Sequence, residues 1–207
     1  MEYVSNVMFW ISNGLLVPVI VGLLFFFIKS ILMLGSIFNQ YLKRNNQDKA
    51  INDTLKGLYK ENVLTFEPTL EQAPKTEFIT TALQLYKSQD SEIHRNRQIT
   101  GFEIASDKAL RSAKTLTKFG PILGLMGTLI PMGPALVGLA AGDIGSMAYN
   151  MQVAFATTVL GLFTGAVGFV LVQVRQRWML TDLTNLDFIS DLITQHKDGK
   201  ECGKEEY

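Results

Sequence analysis

The sequence predicts an all-α integral membrane protein with three transmembrane helices and long cytoplasmic helical extensions. Its apolar residues form two blocks: one spans about residues 7 to 38, interrupted by Lys29, and the other spans residues 119 to 174, with Asp143 as its one charged residue. A hydrocarbon core about 30 Å thick needs about 20 apolar residues of helix. The first block therefore predicts one span and the second predicts two. A soluble protein with buried helices is the alternative.

The basic residues predict the topology, although the formal net charge is zero. Residues 39 to 118 carry thirteen Lys or Arg, and the tail from Arg175 carries five, whereas the segment before the first span and the bend around Asp143 carry none. The positive-inside rule then predicts that the N-terminus and Asp143 lie outside and that residues 39–118 and the C-terminus lie in the cytoplasm. The membrane is expected to be the inner (cytoplasmic) membrane.

Four regions follow from these assignments. They are an outer N-terminus and first span with an inner extension (1–38), a cytoplasmic helical region (39–118), a second and a third span joined by a short outer bend (119–174), and a cytoplasmic C-terminal helix and tail (175–207).

The first span is placed at residues 8 to 28, so Lys29 falls at the inner interface, where its ammonium group can reach the headgroups. A buried functional lysine is the alternative interpretation. Apolar residues continue from Ile31 to Phe38. They predict that the helix extends inward with an apolar side that needs a partner helix or another subunit.

The cytoplasmic region predicts helices with one break. DKAINDTLKGLYK has helical spacing, and the proline-containing stretch ENVLTFEPTLEQAPK (61–75) interrupts it. Thr76 then opens the apolar run TEFITTALQLY, and a proline-free helix from Ser91 continues into the second span without a turn signal. After the third span, at about residues 147 to 174, the apolar residues of TDLTNLDFISDLITQ recur on one helical face.

The sequence does not predict an enzyme, a bound cofactor or a metal site. His94 and His196 lie far apart and have no neighbours at metal-ligand spacing. GPILGLMGT has no lysine where a phosphate-binding loop needs one. Cys202 is the single cysteine, so no intrachain disulfide forms. Basic patches with interleaved aromatic residues, typical of nucleic-acid binders, do not occur in the sequence either.

The second and third spans lack the ionisable group that usually marks an ion path within a membrane. Their polar residues are threonines, Thr128 in the second span and Thr157, Thr158 and Thr164 in the third, set among glycines and alanines. Each threonine, taken alone, has the alternative role of bonding back to its own helix. Together, and with prolines freeing carbonyl groups in the second span, they predict one wall of a pathway whose titrating group comes from another chain.

Two motifs resemble the ion-channel subunits ExbB, TolQ and MotA. They are GPILGLMGTLIPMG (120–133) and AFATTVLGL (154–162), and the topology, with three spans, is most similar to ExbB and TolQ. The resemblance implies a stator subunit of a rotary motor driven by the proton-motive force. Five copies would form a homopentameric ring in the lipid membrane around two copies of a single-span partner similar to ExbD, TolR or MotB. An aspartate of that partner would carry the ion.

The resemblance also implies roles for individual residues. Thr128 and Thr158 match the threonines that face the partner aspartate, and Thr157 adds a hydroxyl that suits Na⁺ as well as the favoured H⁺. The residues expected to line the pore or pack its wall are Gly124, Gly127, Pro131, Gly161 and Gly165. Relatives often carry a glutamate where this chain has Val153, and whether Gln152 replaces it is open. LIPMGP also departs from many relatives.

A membrane scaffold or transporter accessory subunit that does not conduct ions is the second hypothesis, since small-residue interfaces would suit it equally. A membrane enzyme is the third. The work that such a motor would perform depends on its partner and is not encoded in this chain.

Overall fold

The computed structural model describes residues 2–56, 76–89 and 91–202, and these residues form four α-helices. The helices are α1 (Glu2–Lys56), α2 (Glu77–Lys87), α3 (Glu92–Ala140) and α4 (Ile144–Cys202). No strand occurs in these described ranges, so the all-α prediction is confirmed. The predicted break at 61–75 lies outside the described residues.

Three of the helices are long and apolar enough to cross a membrane. The corresponding stretches are Val7–Leu42 of α1, the whole of α3 and Ile144–Lys197 of α4. The chain is therefore a multi-pass membrane protein with helices that continue beyond their spans. The prediction of one uninterrupted helix from Ser91 into the second span is also confirmed, because α3 continues through three prolines.

The helices divide into two compact units. Residues Met1–Asn39 and Arg111–Gln173 form the first, which we call the span unit, and residues Gln40–Leu110 and Val174–Tyr207 form the second, the extension unit.

The bend between α3 and α4 is closed by Gly142 and Asp143. Gly142 has a φ of +75°, and the amides of Gly142 and Asp143 bond the carbonyls of Leu139 and Gly138, which is a Schellman arrangement. Asp143 also caps α4, since its Oδ1 accepts a hydrogen bond of 3.0 Å from the amide of Ser146. The six residues AGDIGS thus end one helix and begin the next, and the two helices run antiparallel.

Helix α1 packs against α3 and α4 within the span unit. Leu123 of α3 lies 3.7 Å from the position that a Cβ on Gly22 would take. Phe26 stacks on Phe119 of α3, and the ring of Phe27 lies 5.6 Å from that of Phe163 of α4. Further inward, the apolar side predicted beyond Lys29 is largely exposed in the single chain.

The core of the extension unit joins α2, α3 and α4. Thr76 caps α2, because its Oγ1 accepts a hydrogen bond of 3.2 Å from the amide of Ile79. The predicted apolar face of the C-terminal helix is confirmed. The buried residues of this core are Phe78, Ile79, Ala82, Leu85, Tyr86, Phe102, Leu186, Ile189, Leu192 and Ile193. Ile104 of α3 is 64% exposed although Phe102 is buried, because residues two apart point to different sides of a helix.

Arg95 fastens the α2–α3 turn to α4. Its side chain is 2% exposed, and its Nη1 donates to the carbonyl of Gln89 at 2.6 Å. Its Nε and Nη2 donate to the hydroxyls of Ser190 and Thr194 at 3.3 and 2.5 Å. These two residues lie one turn apart on α4, so the planar guanidinium reaches both while its third edge holds the turn.

Candidate ion pathway

The glycines of α3 and α4 bring the two backbones into direct contact. A Cβ added to Gly161 would lie 2.6 Å from the Cα of Gly124 and 2.7 Å from the carbonyl oxygen of Gly120. A Cβ added to Gly165 would lie 2.6 Å from the Cγ of Pro121. Only glycine allows this approach. The close packing expected from the small-residue spacing therefore lies between two helices of the same chain.

All five residues expected to line the pore or pack its wall are buried in the single chain. Four of them, Gly124, Gly127, Gly161 and Gly165, form the α3–α4 contact, and Pro131 is also fully buried. In the single chain these five residues therefore occupy buried packing positions. Whether they also line a pore depends on an assembly and stays a prediction.

Thr157 lies at the same contact. Its side chain is 5% exposed, and its Cβ would be 2.6 Å from a Cβ on Gly127. Its hydroxyl donates to the carbonyl of Ala154 at 2.9 Å. The methyl and hydroxyl of Thr157 thus occupy the space that Gly127 leaves open. The expected role of Thr157 in an ion pathway stays a prediction, and its position is that of a packing residue.

Thr128 and Thr158 differ from Thr157 because both are partly exposed. The hydroxyl of Thr128 donates to the carbonyl of Leu125 at 2.7 Å, and that of Thr158 donates to the carbonyl of Ala154 at 2.9 Å. Each hydroxyl proton is therefore engaged with its own helix. The oxygen lone pairs remain available to accept a hydrogen bond or to coordinate a cation.

The register of the two helices places Thr128 and Thr158 on the same side of the helix pair and about 3 Å apart along its axis, because each is displaced by about 1.5 Å in the opposite direction. Each follows directly after a member of the Gly127–Thr157 contact. One residue turns an α-helix by about 100°. Because α3 and α4 are antiparallel, this turn has opposite senses on the two helices when both are viewed from one end. Starting from facing positions, both threonines consequently turn to the same side of the helix pair.

That side is the one opposite α1. Phe119 and Leu123 of α3, which contact α1, lie eight and four residues before Gly127. At about 100° per residue they are rotated from Gly127 in the sense opposite to Thr128. Phe163 of α4 is placed likewise relative to Thr157. The two threonines therefore lie on the face of the α3–α4 pair that this chain leaves uncovered.

Apolar residues complete this face with the same spacing on both helices. Leu125 and Met132 lie three residues before and four residues after Thr128, and Phe155 and Leu162 lie likewise around Thr158. All four are exposed, from 41% for Met132 to 64% for Phe155. None of the four was predicted as a functional residue from the sequence, although their matching spacing was the available signal. The face is an apolar wall with two neighbouring hydroxyl groups.

Gln152 does not lie on this face. It is exposed, and it precedes Thr158 by six residues, which places it about 120° away around α4. The open substitution of Gln152 for the glutamate of relatives therefore has no support from this register.

Comparison with known proteins identifies the family of the chain. No curated protein matches the chain. The model of the MotA/TolQ/ExbB proton channel family matches residues 70–186, which include α2, α3 and the part of α4 that carries Thr157 and Thr158. This match covers more than half of the 207 residues, so the chain belongs to the MotA/TolQ/ExbB proton channel family.

Proposed function

We propose that the chain is the ion-conducting stator subunit of a rotary motor driven by the proton-motive force, similar to ExbB and TolQ. Five copies form a ring around a dimer of a single-span partner similar to ExbD or TolR. The partner's aspartate takes up and releases H⁺, and Na⁺ is the alternative ion. The protein lies in the inner membrane with its N-terminus outside and its C-terminus in the cytoplasm.

The observation that carries this proposal is the position of Thr128 and Thr158 on one side of the helix pair, about 3 Å apart along its axis. Two hydroxyl oxygens on an otherwise apolar face can accept a hydrogen bond from a protonated carboxyl group or coordinate an ion. They cannot bind and release a proton at neutral pH, because the pKa of a threonine hydroxyl lies far outside that range. A group that titrates must therefore face them from another chain, and a carboxylate supplies it.

The uncovered face also supports a partner rather than a lipid-facing role. Lipid alone requires no hydroxyl at this depth, and a threonine whose only function is to bond its own helix needs no counterpart on the neighbouring helix. A smooth apolar wall with two polar points lets a partner helix turn against it while one carboxyl group stops at each subunit in succession.

The functional test is Thr158→Val, which removes the hydroxyl and retains the shape of the side chain. The complex of this chain and its partner is reconstituted in vesicles, and ion uptake driven by an imposed gradient is followed with a pH-sensitive dye. We expect Thr158→Val and Thr128→Val each to lower uptake at least tenfold. The matched control is Thr164→Val, since Thr164 is fully buried and its hydroxyl bonds only the carbonyl of Leu160.

The same measurement decides the role of Thr157. Because Thr157 packs against Gly127, Thr157→Val is expected to retain uptake. If Thr157→Val loses as much ion uptake as Thr158→Val, the result would show that Thr157 takes part in the ion pathway. Unchanged uptake in both Thr128→Val and Thr158→Val would refute the proposed pathway.

Assembly is tested by native mass spectrometry of the protein purified in mild detergent with co-expressed neighbouring gene products. Five copies holding two copies of a small single-span chain with an aspartate in its span are expected. A monomer, or an oligomer that holds no such chain, would favour the scaffold or accessory subunit instead.

A further inference from the structure

The extension unit contains a cavity of about 410 Å³ that the proposed ion pathway does not involve. All four helices, together with the cap of α2, contribute to its walls. This volume lies within the range of about 300–1,000 Å³ typical of small-molecule sites. Much of the wall is apolar, with Phe78, Phe102, Leu110, Trp178 and Met179, and hydroxyl groups come from Thr76 and Ser106.

Arg175 lines this cavity as a half-buried cation. Its Nη1 donates a hydrogen bond of 3.2 Å to the carbonyl of Ala109. No carboxylate of the described residues lies within ion-pair distance of its guanidinium. Burial lowers the pKa of Arg175 below its usual value. The guanidinium therefore has spare donors and an unmet preference for an anion.

The other charged residues of the cavity wall already have favourable electrostatic interactions within the protein. Arg44 forms an ion pair with Asp182, and its guanidinium lies 5.2 Å from the ring centre of Trp178. Glu77 is exposed at the first turn of α2, where the helix dipole favours a carboxylate. Arg175 is consequently the charged group toward which a ligand of the cavity would be drawn.

The combination defines the ligand by its chemistry. A guanidinium fork matches the oxygens of a phosphate, and the hydroxyls of Thr76 and Ser106 and the ring of Trp178 can contact an alcohol esterified to it. Arg175 comes directly after the apolar stretch of the third span, and Trp178 is of the residue type enriched at the headgroup level of membranes. A phosphate ester at this position is most directly supplied by the membrane itself.

We propose that this cavity binds the head group of a phospholipid, with its phosphate on Arg175 and the alcohol of the head group between Trp178 and Ser106, while the acyl chains extend from Arg175 toward the third span. The site is separate from the proposed ion pathway and does not depend on it. A bound lipid would give Arg175 the counter-charge that the described residues do not supply.

The test measures lipid retained by the full-length protein. Oligomers purified in mild detergent are incubated with phosphatidylglycerol, washed, and analysed by native mass spectrometry and by phosphorus content per chain. We expect the wild-type protein to retain about one lipid per chain after washing, and Arg175→Gln to retain at least tenfold less. Arg177→Gln is the matched control, because it removes the same charge from an exposed position two residues away that does not line the cavity.

A second variant separates binding from folding. Ser106→Phe fills the cavity without removing a charge, and it is also expected to lower lipid retention at least tenfold. If Arg175→Gln does not elute as the wild-type oligomer, the result of Ser106→Phe decides. Equal retention in the wild-type protein and in a correctly assembled cavity variant would show that the lipid is bound elsewhere and would overturn the proposal.

A competition experiment with soluble phosphate compounds distinguishes a lipid phosphate from a soluble one. Inorganic phosphate and glycerol phosphate, at millimolar concentrations, are expected neither to displace the retained lipid nor to raise the melting temperature. Displacement by glycerol phosphate that is lost in Arg175→Gln would identify a site for soluble phosphate esters and would overturn the assignment to lipid.

Discussion

Gly161→Ala tests the backbone contact between α3 and α4 directly. The added Cβ would lie 2.6 Å from the Cα of Gly124 and 2.7 Å from the carbonyl oxygen of Gly120. Carbon atoms pack at about 3.5–4.0 Å, so the two helices must separate by about 1 Å at this level. Both neighbours are backbone atoms, which cannot move aside as the end of a flexible side chain can.

The expected cost follows from these distances. Overpacking in a well-packed core costs about 1–3 kcal/mol, and a clash between backbones belongs at the upper end of this range. Replacing glycine by alanine within a helix returns up to about 1 kcal/mol. The net loss is therefore about 2 kcal/mol, which for a chain of this size corresponds to a melting temperature lower by roughly 4–8 °C.

Thermal unfolding in detergent, followed by circular dichroism, measures this loss. Gly14→Ala is the matched control, because it also lies in a membrane helix of the span unit and its added Cβ would meet nothing within 4 Å. We expect Gly14→Ala to melt at or slightly above the wild-type temperature. If Gly161→Ala melts together with Gly14→Ala, the backbone contact is not as close as described and the reasoning fails.

Three further outcomes are expected from the same unfolding measurement. Gly142→Ala should cost about 1–2 kcal/mol, because its φ of +75° disfavours a side chain; a loss no larger than that of Gly145→Ala would contradict this. Arg95→Met should cost about 2–3 kcal/mol through its lost hydrogen bonds, and unchanged stability would show that the desolvation of Arg95 cancels their contribution. Partial burial, then the like charges of Asp191 and Glu103, raise the pKa of Asp187 above its usual value. A carboxyl group whose pKa is raised in the folded state contributes stability at acid pH, and this contribution is lost as the pH rises through that pKa. Asp187→Asn should therefore stabilise the protein by about 0.2–0.5 kcal/mol at pH 7 and should have no such effect below about pH 4. A gain in stability that persists at acid pH would exclude this cause.

The sequence predicted the three membrane-spanning helices because span length and apolar composition are local properties. It could not assign faces to the threonines. Thr157 and Thr158 are adjacent and of the same type, and their difference in exposure follows from the register between α3 and α4. It also could not predict the cavity beside Arg175, because four segments distant in the chain meet there. For Arg95 a signal existed, since Ser190 and Thr194 are polar residues one turn apart within an otherwise apolar face.

The glycines of the second and third spans were expected to keep a pore wall smooth, and their position supports a different contribution to the same function. The side chain of Thr157 fills the space that Gly127 leaves open, and Thr128 and Thr158 each follow a member of this contact by one residue in the sequence. A slip of one residue on either helix would turn one hydroxyl by about 100° and shift it by about 1.5 Å. Side chains larger than hydrogen at these glycines would permit such slips by holding the helices apart, whereas interlocked backbones allow one register only. The glycines therefore stabilise the relative position of the two hydroxyl groups, although no glycine side chain contacts them, and this packing keeps both hydroxyls on one side of the helix pair within about 3 Å along its axis.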